Sequence, residues 1–218
     1  MKIVAFVPIK LNSERVKGKN IKEFDNGRPL CSYIFNTLSK VKGLDGVYVY
    51  CSDERIKDYI PEGIKFLKRD ARLDGSDVKI NEVLTSFAKD VDADAYLLTH
   101  ATAPFITVES IEKGIDVMRA GEYDSVLAVS KIQEFLWMNN KPFNYSLDAI
   151  PRTQDLEPIY SETCGLYIYR RELIIDENRR IGHNPFLLEV SKIEALDVDT
   201  VEDFMICNAV SNIIKESE

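Results

Sequence analysis

An apolar run, Ile3-Val4-Ala5-Phe6-Val7, stops at Pro8 and passes directly into a loop crowded with cations. No other stretch limits the fold as tightly. A short continuous run rich in β-branched and aromatic residues suits a strand buried on both faces, the condition of a parallel sheet covered by helices. A loop leaving the carboxyl end of such a strand lies where open α/β sheets collect their ligands. Between Lys10 and Asn20 the loop carries Lys10, Arg15, Lys17 and Lys19 against the single acid Glu14, although the whole chain has a formal net charge of -8. A solvated surface loop can share that composition, and the spacing is not that of a P-loop. The local reversal of sign nonetheless suits a polyphosphate. Lysines give point charges, arginine gives a fork of donors, and Asn12, Ser13, Gly18 and Asn20 permit tight turns with free N–H groups.

The rest of the chain reads as alternating strands and helices. Leu30, Ile34, Leu38 and Val41 recur at helical spacing behind Pro29, and Gly43 ends that helix. Strands are expected over 47–51 and 64–67, with a short helix over 54–60 opened by Ser52-Asp53. A polar segment over 68–76 precedes a helix bearing Ile80, Val83, Leu84 and Phe87. The strand at 96–99 is followed by HATAPF, and Thr107 caps a helix with Val108, Ile111, Ile115 and Met118 inward. Further strands are expected over 124–130, 166–169 and 193–198, and a closing helix over 201–214 would bury Phe204, Ile206, Val210 and Ile213. This alternation predicts a mostly parallel sheet with helices on both faces, built as one domain over 1–218. The stretch 132–160 breaks the pattern with Trp137, Phe143, Tyr145 and several prolines, and reads as an excursion from the core.

Charge and composition exclude several classes of function. A net charge of -8 argues against nucleic acid, which demands an extended basic face, and favours a small anion. The apolar start is too short for a signal peptide, and no run approaches the ~20 residues of a membrane span, so a cytoplasmic location is expected. Cys31, Cys51, Cys164 and Cys207 form no CxxC pair, which predicts free thiols rather than disulfides or zinc.

Asp197 and Asp199 stand two apart in ALDVDT. On an extended strand their carboxylates project from one face. An isolated DxD often marks only a solvated strand end, but beside a cationic loop it offers hard oxygen ligands for Mg²⁺, which completes its shell with water and phosphate.

Taken in order, these motifs resemble the acylneuraminate cytidylyltransferases (CMP-sialic acid synthetases), relatives of the Kdo cytidylyltransferases. IKLNSERVKGKN resembles the family's opening loop with Asn12, Ser13, Lys19 and Asn20 in place. Ser52-Asp53 is similar to its STD, RDARLDGSD keeps Arg69 and Leu73, and HATAPFIT keeps Thr102, Pro104 and Thr107 of its QPTSPLRT. PRTQDLEPIYSETCGLYI and LDVDTVED resemble its two last motifs. Lys10, His100, Ile106 and Cys164 depart from the family's Arg, Gln, Arg and Asn, mostly where the family meets its sugar.

The resemblance implies a Rossmann-like nucleotidyltransferase fold. It implies an enzyme transferring CMP from CTP to a sialic-acid-like sugar acid, with Mg²⁺ and release of pyrophosphate, for cell-surface glycan synthesis. It assigns catalysis to Lys19, Lys10, Arg15 and Asp199, and the nucleotide to Pro8, Lys10, Asn12, Ser13, Lys19, Asn20, Arg69 and Ser76. His100, Thr102 and Tyr160 would meet the acceptor, and Asp197 and Asp199 the metal. It makes 132–160 a dimerisation arm reaching over a partner's site. Two other readings share these residues: transfer to another keto sugar acid or a phosphorylated small molecule, and a module that binds CTP without turnover.

Overall fold

The computed structural model describes residues 1–13 and 15–215, so Glu14 of the opening loop lies outside them. The strands are β1 (Ile3–Ile9), β2 (Gly46–Cys51), β3 (Lys65–Lys68), β4 (Ala95–Leu98), β5 (Ser125–Ile132), β6 (Trp137–Met138), β7 (Lys141–Pro142), β8 (Ile159–Arg170) and β9 (Pro185–Glu189). All but β6 and β7, which form their own small hairpin, join one sheet in the order β3-β2-β1-β4-β8-β5-β9. Only β8 runs antiparallel to its neighbours. The expected α/β architecture with a mostly parallel sheet is therefore the observed one.

Both faces of the sheet are covered, as the unbroken apolar character of β1 requires. On one face α1 (Leu30–Leu38) and α3 (Val108–Ala120) bury Ile34, Phe35, Leu38, Ile111, Ile115 and Met118 against Ala5, Val7 and Leu97. On the other, α2 (Ile80–Asp90) and α4 (Arg171–Ile175) bury Val83, Leu84, Phe87 and Leu173. There the Phe87 ring stacks on Phe6 at 3.9 Å between centroids, a contact between large buried rings that fixes α2 over β1. Helix α5 (Val201–Lys215) closes a third, smaller cluster in which Phe24, Phe105, Val198, Phe204 and Cys207 are buried.

The strand order places β1 beside β4, where chain progression switches from one direction across the sheet to the other. In open α/β sheets the loops at that point splay apart and leave a crevice.

Several expectations need correction. The segment 193–198 is a turn followed by unpaired chain, and the edge strand is β9 (Pro185–Glu189), which pairs with β5. The reason is Glu194, whose buried carboxylate holds a turn that a strand would break. Residues 166–169 are only the inner part of the long β8, whose outer part pairs with β5 past a bulge near Leu127 and Val129. The expected helix over 54–60 is a 3-10 turn over Glu54–Tyr59, capped by Asp53 as anticipated. In α5 Phe204 is buried and Val210 half-buried, but Ile206 and Ile213 are exposed, and Cys207 faces inward instead. The cysteines are free thiols. No helix among the described residues is long and apolar enough to cross a membrane.

Glu194 also generates a test. Its carboxylate accepts hydrogen bonds from the Thr107 and Ser110 hydroxyls at 2.7 and 2.6 Å and from the Ser191 N–H at 3.1 Å, tying the loop before Asp197 to the start of α3. Burial alone would raise its pKa, but the bonds from Ser110, Thr107 and Ser191 hold it below the ordinary 4.5. Glu194→Gln is expected to lower the unfolding free energy by about 1.5–3 kcal/mol in urea melts near neutral pH. Because the folded pKa is depressed, the carboxylate's contribution is complete above the unfolded value and is lost as pH falls through the folded one. The difference between wild type and Glu194→Gln should therefore shrink on acidification, and a difference that stays constant would refute the assignment.

Candidate active site

The loop after β1 is held in a fixed curl. Asn20 donates through Nδ2 to the Lys10 carbonyl at 2.8 Å, which closes the loop at its neck, and buried Val16 anchors its middle. Gly18 takes a left-handed conformation, φ 64°, that a side chain would strain, and this turns the chain into a short 3-10 turn beginning at Lys19. Lys19 is thereby aimed inward and is 9% exposed. Its ammonium donates to the Val198 carbonyl at 2.5 Å and to Asp199 Oδ1 at 3.3 Å. Arg15, exposed on the rim, reaches the same Asp199 oxygen at 3.0 Å.

Asp199 is placed by the start of α5. Asp203 Oδ2 accepts from the Asp199 N–H at 3.0 Å, the Thr200 N–H at 2.7 Å and the Thr200 hydroxyl at 2.9 Å, while Thr200 Oγ1 accepts from the Asp203 N–H at 3.2 Å. This reciprocal cap fixes the backbone at Asp199. The Val198 N–H donates to the Thr102 carbonyl at 2.8 Å, stitching the acidic segment to the loop after β4.

The two acids differ in setting. Asp199 is half-exposed and paired with cations, whereas the Asp197 carboxyl is raised above its ordinary value by burial first and by the Asp199 charge, against the lowering effect of Thr102, Lys19 and Cys164. Asp197 Oδ1 is buried with no hydrogen-bond partner. Neighbouring carboxylates, one with an orphaned oxygen, fit a hard divalent cation such as Mg²⁺ that shares its remaining positions with water and phosphate. Among the described residues no group of three or more His, Cys, Asp or Glu side chains is poised to enclose a metal unaided.

Between β1 and β4 opens a cleft of about 340 Å³. Lys10, Ser13, Arg15 and Lys19 line it from the first loop, and His100 and Thr102 from the second. His100 is pushed down to about 4, by burial first and then by the positive charges of Arg180 and Lys19, so its imidazole is neutral near pH 7 and its buried Nε2 lacks a partner. A neutral ring, two lysines and an arginine around one void make a site for a polyanion with a polar neighbour.

A family model for cytidylyltransferases matches residues 4–212. The chain belongs to the cytidylyltransferase family. The 8-amino-3,8-dideoxy-manno-octulosonate cytidylyltransferase of Shewanella loihica is 25% identical over 243 residues, an alignment covering 96% of this chain and 98% of that one. An N-acylneuraminate cytidylyltransferase of Streptococcus agalactiae is 23% identical over 219 residues, covering 94% of this chain and 52% of its own. Among solved structures, a CMP:2-keto-3-deoxy-manno-octonic acid synthetase complexed with CTP superposes with a TM-score of 0.72 at 17% identity, covering 97% and 99% of the two chains. A 4-diphosphocytidyl-2C-methyl-D-erythritol synthase from Anaerococcus prevotii gives 0.70 at 15%, covering 97% and 96%. These likenesses show a shared nucleotidyltransferase fold.

In this cytidylyltransferase the cleft gathers Pro8, Lys10, Ser13, Arg15, Lys19, Asn20, Ser76, His100 and Thr102 of the residues expected from sequence. Others lie elsewhere. Asn12 is exposed and outside the lining. Arg69 borders an adjoining recess and is already bound to Asp74 and to the Ile9 carbonyl. Tyr160 sits on the outer part of β8 opposite Lys131. It is not among the residues that line the cleft. Asp197 and Asp199 do not share the face of a strand; unpaired chain and the α5 cap bring them together.

Sequence reasoning missed Asp74, Arg180 and Asp203. The T-x-x-D spacing of Thr200 and Asp203 was a readable capping signal, whereas the five-residue spacing of Arg69 and Asp74 matches no local pattern and Arg180 acts on His100 across the fold.

The His100 environment predicts its titration. The unfolded chain takes up a proton near 6.5 and the folded one only near 4, so between these values acidification costs stability through this residue. In NMR titration the His100 ring signals should stay constant from about pH 8 to about pH 5. A midpoint near the ordinary value would overturn the buried, neutral assignment.

Proposed function

We propose that this protein transfers CMP from CTP to a sialic-acid-like keto sugar acid, releasing pyrophosphate, and works in the cytoplasm where CTP is held. The observation that carries the reading is that two cations of the cleft, Lys19 and Arg15, meet on the carboxylate of Asp199, with Asp197 near enough to feel the charges of both Asp199 and Lys19. The names of the relatives from Shewanella and Streptococcus specify two keto sugar acids, an octulosonate and an acylneuraminate, which supports that class of acceptor.

Chemically, an acceptor hydroxyl attacks the α-phosphorus as the bond to the β-phosphate oxygen breaks. Such a displacement asks the protein for positioning and charge neutralisation rather than a covalent nucleophile. Lys19 and Lys10 face the cleft to hold phosphate oxygens. Arg15 is exposed and tied to Asp199 by one bond, so it can turn to the leaving pyrophosphate. Asp197 and Asp199 would hold Mg²⁺, which when bound draws charge from the triphosphate oxygens. Neutral His100 can accept or donate a hydrogen bond to the acceptor without adding a second charge beside Lys19.

The hairpin of β6 and β7 and the turn after it serve, in this reading, as an arm between two copies. Trp137, Phe143 and Ile150 are 58%, 53% and 63% exposed, an apolar patch that monomeric surfaces seldom carry. Light scattering at micromolar concentration should give twice the 24.9 kDa chain mass, and a Trp137→Glu, Phe143→Glu variant should shift toward one chain. A wild-type monomer would remove the arm's role.

Pyrophosphate release with CTP, Mg²⁺ and a panel of keto sugar acids tests the activity directly. Lys19→Ala is expected to lose about a thousandfold or more in turnover while Lys17→Ala stays near wild type. Asp199→Asn should lose activity and need more Mg²⁺, with the metal-free melting temperature moving by no more than about 4 °C. Equal activity of the two lysine variants, or wild-type Mg²⁺ dependence in Asp199→Asn, would contradict the assignment.

A further inference from the structure

Next to the triphosphate cleft lies a narrower recess of about 210 Å³ that shares Pro8, Lys10 and His100 with it. Its remaining wall is largely apolar, from Leu73, Val78, Ile80 and Val83, with Arg69 as its buried charge. Arg69 is 5% exposed, and its Nε is buried without a partner. Its Nη2 is fully engaged, donating to the Ile9 carbonyl at 3.1 Å and to Asp74 Oδ1. The other Asp74 oxygen accepts from the Ser52 hydroxyl at 2.5 Å, so the carboxylate is gripped from both sides. The Asp74 backbone carbonyl in turn faces the Lys10 ammonium at 3.5 Å.

We propose that Asp74 is the positioning residue that sets Arg69 for the nucleoside end of CTP. The inference rests on the CTP reading above. A guanidinium is planar, so fixing one of its nitrogens against two acceptors fixes the direction of the others. A buried N–H without an acceptor is costly unless a ligand supplies one. A pyrimidine has flat apolar faces suited to the aliphatic walls, and its ring nitrogen and carbonyl are acceptors for the guanidinium N–H groups that Ile9 and Asp74 leave unmet. Asp74 itself lies behind Arg69, outside the recess lining, and acts through Arg69 rather than by touching the ligand. The phosphate contacts of Lys19 and Arg15 are independent of this grip, so the nucleoside and phosphate ends of the ligand should respond differently to its loss.

The test measures binding of two probes by calorimetry in Mg²⁺: CTP, which has a base, and inorganic tripolyphosphate, which has none. In Asp74→Asn, which keeps the shape but removes the charge that holds Arg69, CTP should weaken about tenfold and tripolyphosphate less than twofold. Steady-state assays should show KM for CTP rising more than kcat falls. If Asp74→Asn does not fold, Ser52→Ala loosens the same carboxylate more gently and should weaken CTP about threefold with tripolyphosphate again spared. Equal loss for both probes, or no loss for either, in whichever variant folds would overturn the positioning role. Wild-type protein that binds no CTP would instead overturn the underlying reading, and the positioning role with it.

Discussion

The buried ammonium of Lys19 is the point on which the rest of the site depends. It joins the loop after the first strand to the segment before the last helix, through the Val198 carbonyl and Asp199. A cation so far from water is tolerated only when its donors are met, and the Val198 carbonyl at 2.5 Å and the Asp199 side chain meet them. The surrounding features meet that requirement: Gly18 turns the chain so that Lys19 points inward, Asn20 closes the loop neck, and the Thr200-Asp203 cap holds Asp199 at the right height. The ends of the sequence are thus locked together by the same contacts that shape the cleft.

The sheet supplies the rest by its topology. With β1 beside β4, the loops that follow Ile9 and Leu98 leave adjacent strands and part above the sheet. His100 stands between the cationic cleft and the aliphatic recess and borders both. Its neutrality follows from position: burial opposes charge, and Arg180 and Lys19 on either side oppose it further. A polar but uncharged group at this junction separates a highly charged compartment from an apolar one without adding to the repulsion among the cations.

Much of this was legible in the sequence because the informative signals are local. The continuous apolar run of β1, the sign reversal of the next loop and the caps at Asp53 and Thr107 all lie within a few residues, and each appears where it was expected. What failed was long-range. The apolar letters of 193–198 resembled a strand, but the hydrogen bonds of Glu194 to Thr107 and Ser110, more than eighty residues away, decide for a turn. Arg69 was read as a nucleotide contact without its partner: Asp74 stands five residues on, a spacing that marks neither a helix nor a strand contact, and the Ser52 that holds Asp74 comes from the loop after β2. Tyr160, expected at the acceptor site from its motif, lies on the outer part of β8 paired with β5 and outside the cleft lining.

Under the proposed function, the arrangement of charge explains how an acidic protein would keep an anion site ready without collapsing it. Before any phosphate arrives, Arg15 and Lys19 both rest on the same oxygen of Asp199, so the cations are neither buried unpaired nor driven apart by repulsion. Asp197, deeper and partly desolvated, has no such partner for its Oδ1 and is held closer to its neutral form. An incoming polyanion offers the two cations better partners than a single carboxylate oxygen, and their turning toward it leaves Asp199 and Asp197 as adjacent acids with unmet charge. That state is unfavourable alone and favourable with a divalent cation. In the proposed reaction anion and cation would therefore each be bound more readily in the presence of the other, because one oxygen of Asp199 is the resting place of both Arg15 and Lys19.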